Sequence, residues 1–117
     1  MSESTSWPPE LDAVIAAPDH HTVLLENDYV RVLDTRIEPG DTTPVHTHRW
    51  PSVYHVLSLG DCVRRDGDGN VLMDTRLKPM GPTPKALWSE PLPPHTLENV
   101  GDVAIHVVSV EIKGQAG

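Results

Sequence analysis

The segment VHTHRWPSVYHVLSLG, residues 45–60, carries three of the chain's seven histidines, at His46, His48 and His55. On an extended backbone, residues i and i+2 project from the same face, with Cβ atoms about 7 Å apart. His46 and His48 therefore present two imidazoles to one side, with Thr47 turned away. Metal–imidazole bonds of about 2.0–2.1 Å can draw such a pair onto one ion. A third ligand must then come from another strand, and His95 in PPHTLEN is the candidate. An isolated H-x-H also arises from packing or exposed histidines, so the pair takes its meaning from its surroundings.

The elements that must position these residues read as strands. Tyr29–Ile37 interleaves β-branched and polar residues as a half-buried strand does. The turn 38–41 follows, then PVHTH, SVYHVLSL, CVRR and VLMDTRL, with DGDGN as the hairpin turn between the last two. KALWS, PPHTLEN and Val103–Ile112 follow, and with HTVLLEN ahead of Tyr29 the chain reads as about eight strands. DGDGN lacks the remaining ligands of a calcium loop. Twelve prolines and eight glycines fall between the short apolar runs, as expected for a sandwich or barrel. Ahead of the strands, residues 1–9 read as an arm, and Pro9–Ala17 as a short helix with proline near its start and Pro18 beyond its end. The expected division is arm and helix over residues 1–20 and a β domain over 21–117.

Composition excludes several functions. At 117 residues the chain is one domain with room for a core. The single cysteine, Cys62, excludes an internal disulfide framework and a cysteine-rich zinc site. A net charge of −8 argues against nucleic acid and against an anionic membrane surface. No segment has the apolar length of a bilayer span, and the polar, acidic start has no basic n-region, so the expected location is cytoplasmic. There is no glycine-rich phosphate loop and no G-x-S-x-G nucleophile elbow.

The ordered pair PGDTTPVHTH…G and PPHTLENVGD in an all-β chain resembles the cupin superfamily between residues 22 and 112. The first cupin motif sets a glycine ahead of H-x-H, then a glutamate and a closing glycine. Gly40, His46, His48 and Gly60 stand at that spacing. The second motif's histidine and asparagine match His95 and Asn99. ENDYVRVLDTRIEPGD with PPHTLENVGD resembles the bacterial group named for β-alanine degradation. The chain departs from the pattern at the glutamate, which falls at Val53 or, on a shorter spacing, at Ser52. Pro84, Glu90 and Leu92 also stand where the second motif has glycine, proline and glycine.

The resemblance implies a double-stranded β-helix, or jelly roll, with a divalent metal (Fe, Mn, Ni or Zn) on His46, His48 and His95 and no carboxylate ligand. It also implies a homodimer, with the edge strand near TVLLEN swapped or augmenting the partner's sheet. The expected function is that of a metal-dependent enzyme acting on a small organic acid, by oxygenation, isomerisation or lyase chemistry. The alternative is a metal- or small-molecule-binding module without turnover. His55 shares a strand face with Val53 and is the candidate catalytic acid or base, or else a hydrogen-bonded part of the pocket wall. Trp50, Tyr54 and Trp88 are candidate pocket linings, and Arg36 and Arg49 are candidate partners for a substrate carboxylate. His106 and Asn99 are expected to be structural, and His20 and His21 exposed at the junction of arm and barrel.

Overall fold

The structure is a computed structural model and describes residues 7–79 and 81–114. Nine strands form among the described residues, each within or close to a segment expected to be a strand: β1 His21–Glu26, β2 Val30–Ile37, β3 His46–His48, β4 Ser52–Ser58, β5 Cys62–Asp66, β6 Val71–Asp74, β7 Ala86–Ser89, β8 Leu92–Asn99 and β9 Ile105–Ile112. They make two facing antiparallel sheets, ordered β1-β2-β9-β4-β7 and β3-β8-β5-β6. The sheets remain separate, so the expected jelly roll is present as a two-layer cup rather than a closed barrel.

Register divides the interior into two ends. Residues i, i+2 and i+4 of β2 turn Arg31, Leu33, Thr35 and Ile37 inward, opposite Glu111, Ser109, Val107 and Ile105 of β9. At one end Ile37 and Ile105 meet Cys62, with Leu59, Met73 and Leu97 packed around them, and this is the apolar core. At the other end the paired residues are Arg31 and Glu111, both almost fully buried. The first end supplies hydrophobic stabilisation; the second holds polar groups that only specific partners can make tolerable.

The N-terminal segment closes over the polar end. A 3-10 turn at Pro9–Leu11 leads into a four-residue helix, α1, Ala13–Ala16. A helix this short does not persist alone. It is held by the burial of Ala13 and Ala17, a parallel backbone bridge from Asp12 to Thr47, and a fork from the Asp12 carboxylate to Arg31 at 2.7 and 3.0 Å. The rest of the expected arm, residues 1–6, lies outside the described residues.

Asn99 is structural, as its place before a turn suggests. Its side chain is fully buried; Nδ2 donates to the carbonyls of Ile37 and Val103, and Oδ1 accepts from the N–H of Gly101. A Cβ on Gly101 would stand 2.9 Å from the Asp61 nitrogen, so only glycine fits this crossing. Gly40 adopts φ +85°, which explains a glycine in the turn before the histidine strand. Asn99→Ala removes three side-chain hydrogen bonds to backbone from a fully buried position and should cost about 3 kcal/mol. Urea unfolding should show this as a lower midpoint at unchanged slope; a loss below about 1 kcal/mol would remove Asn99 from the turn's support.

Candidate metal centre

The structure brings together four imidazoles. His46 and His48 lie on β3, the first opposite His95 of β8 in the sheet register. His46, His48 and His95 are 2, 8 and 4 % exposed. The fourth is His21, at the start of β1, which the sequence reading places in solvent. It is 5 % exposed, and its ring centroid lies 4.9 Å from that of His46 and 5.3 Å from that of His48. The correction has a local cause: the 3-10 turn and α1 fold back over the cup and bury the first residue of the edge strand. His20 is also largely covered, bonding to Asp41 at 2.7 Å.

One ring nitrogen from each of His21, His46 and His48 falls in a group whose members all lie within 4.8 Å of one another. Ligands around a tetrahedral ion at 2.1 Å are about 3.4 Å apart, so a small contraction closes the group on an ion. His95 stands on the far side of His46, with ring centroids 4.4 Å apart, and 5.7 Å from the His48 ring. The expected trio of His46, His48 and His95 is thus assembled, but the tightest trio exchanges His95 for His21.

The hydrogen bonds fix which nitrogen each ring offers. Nδ1 of His46 bonds to the Pro44 carbonyl at 2.8 Å and Nδ1 of His95 to the Pro93 carbonyl at 2.7 Å. Nδ1 of His21 bonds to the Ala17 carbonyl at 3.0 Å, and Nδ1 of His48 to the Glu111 carboxylate at 3.1 Å. Carbonyls and carboxylates accept, so in every case Nδ1 carries the proton and Nε2 is left with its lone pair. Among the described residues none of the four Nε2 atoms makes a hydrogen bond. A P-x-H sequence, PVH and PPH, underlies two of the four bonds.

Burial, reinforced by neighbouring imidazoles, depresses the basicity of all four rings, to about 3 for His21 and His48 and about 2 for His95. At neutral pH the cluster is a set of uncharged donors. Behind it runs a buried chain, Asp12–Arg31–Glu111–His48. Arg31 Nε donates to Glu111 Oε1 at 2.6 Å while Oε2 accepts from His48. Burial raises the Glu111 pKa, and the Arg31 guanidinium opposes that rise. Glu111 also locates the carboxylate missing from the motif position. Ser52, the inward residue there, pairs directly with Glu111 on the adjacent strand. This carboxylate lies one strand over from that position and stands behind the His48 imidazole.

The four histidines open on a cavity of about 70 Å³, further lined by Thr35, Tyr54, Arg64 and Ser109 and by apolar side chains that include Leu92, Leu97 and Val107. Burial raises the Tyr54 pKa, so its hydroxyl stays a proton donor at neutral pH. His55, the expected catalytic residue, is not here. β4 turns Ser52 and Tyr54 inward, and His55 projects outward with Val53 and is exposed. Arg36 is on the surface with Glu38, and Arg49 stacks near Trp50, so neither reaches the cavity. Trp88 is exposed, and His106 bonds to Asp34 at 2.7 Å. Besides His21, sequence reasoning also missed Arg64 and Glu111. Each stands in phase with inward neighbours, Cys62 and Ile105 respectively, and that parity was the available signal.

No protein-family profile and no curated protein matches the chain. Solved structures do. A cupin domain from Bordetella pertussis Tohama I superposes with TM-score 0.63 and 24 % identity, over 80 % of this chain and 92 % of that one. A double-stranded β-helix domain protein from Klebsiella pneumoniae gives 0.56 and 24 % over 83 and 78 %. The polyketide cyclase RemF from Streptomyces resistomycificus gives 0.54 and 19 % over 87 and 70 %. With two facing sheets, a histidine pair on a short inner strand and these neighbours, the chain has the double-stranded β-helix fold of the cupin and RmlC-like proteins.

Proposed function

We propose that the chain binds one divalent metal ion through His46 and His48, with His21 and His95 completing the set, and uses it as an enzyme on a small organic acid. The observation that carries this reading is the shared tautomer: four buried rings, each with Nδ1–H tied to a fixed acceptor and Nε2 left unpaired. Such outer hydrogen bonds orient a metal-binding imidazole and raise its donor strength. Imidazole suits Fe, Ni and Zn, and the donor set leaves Mn as the weaker choice. When bound, the ion supplies Lewis-acid polarisation of a ligand oxygen, or oxygen chemistry if it is iron. The chain's own residues hold the rings neutral and oriented, exclude water with Leu92, Leu97 and Val107, and offer the Tyr54 hydroxyl as a proton donor at the cavity wall. Oxygenation, isomerisation and lyase chemistry all fit this frame. That RemF is a named cyclase supports the fold's capacity to house catalysis. The subgroup named for β-alanine degradation remains a proposal of sequence alone, as does a cytoplasmic location; no helix among the described residues is long and apolar enough to cross a membrane.

A second reading has its own support. No carboxylate lines the cavity, and His55 points away from it. A site without a base beyond imidazole can bind a metal or small molecule and report it without turnover. Oxygen uptake and product analysis with β-amino, β-oxo and thiol acids separate the two readings.

Purified protein loaded with zinc and analysed for metal should hold one ion per chain. His46→Ala and His48→Ala should lose it, His55→Ala should keep it, and Glu111→Gln should weaken zinc tenfold or more by removing the charge behind His48. Full zinc occupancy in His46→Ala would end the metal reading.

The metal-free protein should also be acid-sensitive. Unfolded histidines take up protons near pH 6.5, whereas His21 and His48 in the folded protein resist until about pH 3. Between those values the unfolded state binds more protons, so stability is complete above pH 6.5 and falls as pH is lowered, by about 1.4 kcal/mol per unit per histidine. Urea midpoints measured from pH 7.5 to 4.5 should fall accordingly; a flat profile would mean that these rings are hydrated.

We further propose a homodimer formed through the outer face of the five-stranded sheet. Register places Leu25, Val32, Val110, Val53 and Trp88 in one row across all five strands. Leu25, Val53 and Trp88 are 51, 40 and 58 % exposed, an apolar band that a second copy's identical band would cover. Light scattering should give twice the chain mass, and Val53→Asp should give monomers; a monomeric wild type would exclude the dimer.

A further inference from the structure

The cavity has a second half that the metal does not use. Arg64 and Arg65 are neighbours on β5 with opposite fates. Arg65 turns outward and pairs with Glu98 at 2.9 Å. Arg64 turns inward with Cys62 and lines the cavity. Among the described residues it has no ion-pair partner, and its Nε is buried without an acceptor. On the facing sheet, Ser109 lines the same cavity, and its hydroxyl is also buried without a partner. Two unsatisfied polar groups in one cavity are costly unless a ligand completes them.

We propose that Arg64 and Ser109 form a carboxylate-binding subsite, so that the ligand is a small monocarboxylate held by its acid group at Arg64 while its remaining atoms extend toward the histidines. This rests on the reading of the substrate as an organic acid and specifies how that acid is held. Electrostatics supports it. The lining contains one permanent cation, four neutral imidazoles and no acid, and a bound divalent ion would add further positive charge. An anion is the missing counter-charge, and a guanidinium is suited to bind a carboxylate through parallel N–H donors. Size narrows the choice. A water molecule needs about 10–15 Å³ of such space, so a cavity of about 70 Å³ admits an acid of about four to six heavy atoms. Acetate and propionate fit that space.

The subsite can be tested on the full chain with acetate as probe and acetamide as its neutral isostere, in both metal-free and zinc-loaded protein. The Nε–H resonance of Arg64, assigned by its loss in Arg64→Gln, should shift with acetate and not with acetamide. Arg64→Gln should weaken acetate at least tenfold, and Ser109→Ala about threefold or more, with zinc content unchanged in both. Arg64→Lys, which keeps the charge, should retain part of the affinity. If zinc fails to load while acetate still shifts Arg64, the metal reading fails and the subsite stands. If the Arg64 resonance is indifferent to acetate in both forms, or Arg64→Gln binds acetate as the wild type does, the subsite is excluded.

Discussion

The architecture of the polar end depends on one buried cation. Arg31 stands between two carboxylates, forked to Asp12 through its terminal nitrogens and bonded to Glu111 through Nε. Each contact belongs to a different element: Asp12 to the segment ahead of α1, Glu111 to β9, and Arg31 itself to β2. Desolvating three charges costs several kcal/mol per ion, and only near-ideal geometry recovers it. The return is positional. Because the guanidinium is a rigid fork, it sets where α1 docks, and Ala17, the residue that follows α1, supplies the carbonyl that orients His21. Its other partner orients His48. Two of the four imidazoles thus take their alignment, directly or at one remove, from Arg31.

The charge arithmetic of this end is consistent with a cationic guest. Asp12, Arg31 and Glu111 sum to one excess negative charge behind the histidines, passed to the cavity only through the His48 ring. The rings stay neutral because protonating any of them would place a cation in a desolvated space already facing Arg64 and the other rings. A neutral donor set backed by a buried carboxylate attracts a metal ion without repelling it, and without a carboxylate on the metal-facing side. Ser52 occupies the glutamate position of the motif the sequence resembles, and Glu111, one strand across, stands behind the His48 imidazole.

How much of this was legible depended on parity. His46 and His48 were readable because alternation places them on one face whatever the strand's surroundings, and His95 followed from the resemblance and its register. His21 was not, since β1 is exposed at every other position and a local pattern reads it as a solvent edge. His55 failed for a different reason. Hydrophobicity chooses the inward face of a strand only when the outer face is polar, and here Val53 and Leu57 make the outer face of β4 apolar too. The feature that defeated the orientation of β4 is the same apolar band that suits a second copy. Glu111 was hidden similarly: in VVSVEI the apolar residues occupy both parities, and only its phase with buried Ile105 marks it as inward.

Fold likeness at this level of identity fixes the cup and leaves its contents to be read directly. The interior shows how the two are combined. The core of Ile37, Cys62 and Ile105, with the Asn99 turn beside it, supports the sheets without reference to any ligand. The Arg31 end also buries Leu33, Ala13 and Ala17, and the cavity, lined by Ile37 and Ile105 as well as by the histidines, carries groups whose hydrogen-bonding capacity is incomplete: four Nε2 lone pairs, the Arg64 Nε and the Ser109 hydroxyl. A domain can keep such groups unsatisfied only when apolar burial folds it. Apolar burial of Leu33, Ile37 and Ile105 is therefore the stabilisation that lets these cavity groups remain open to a ligand.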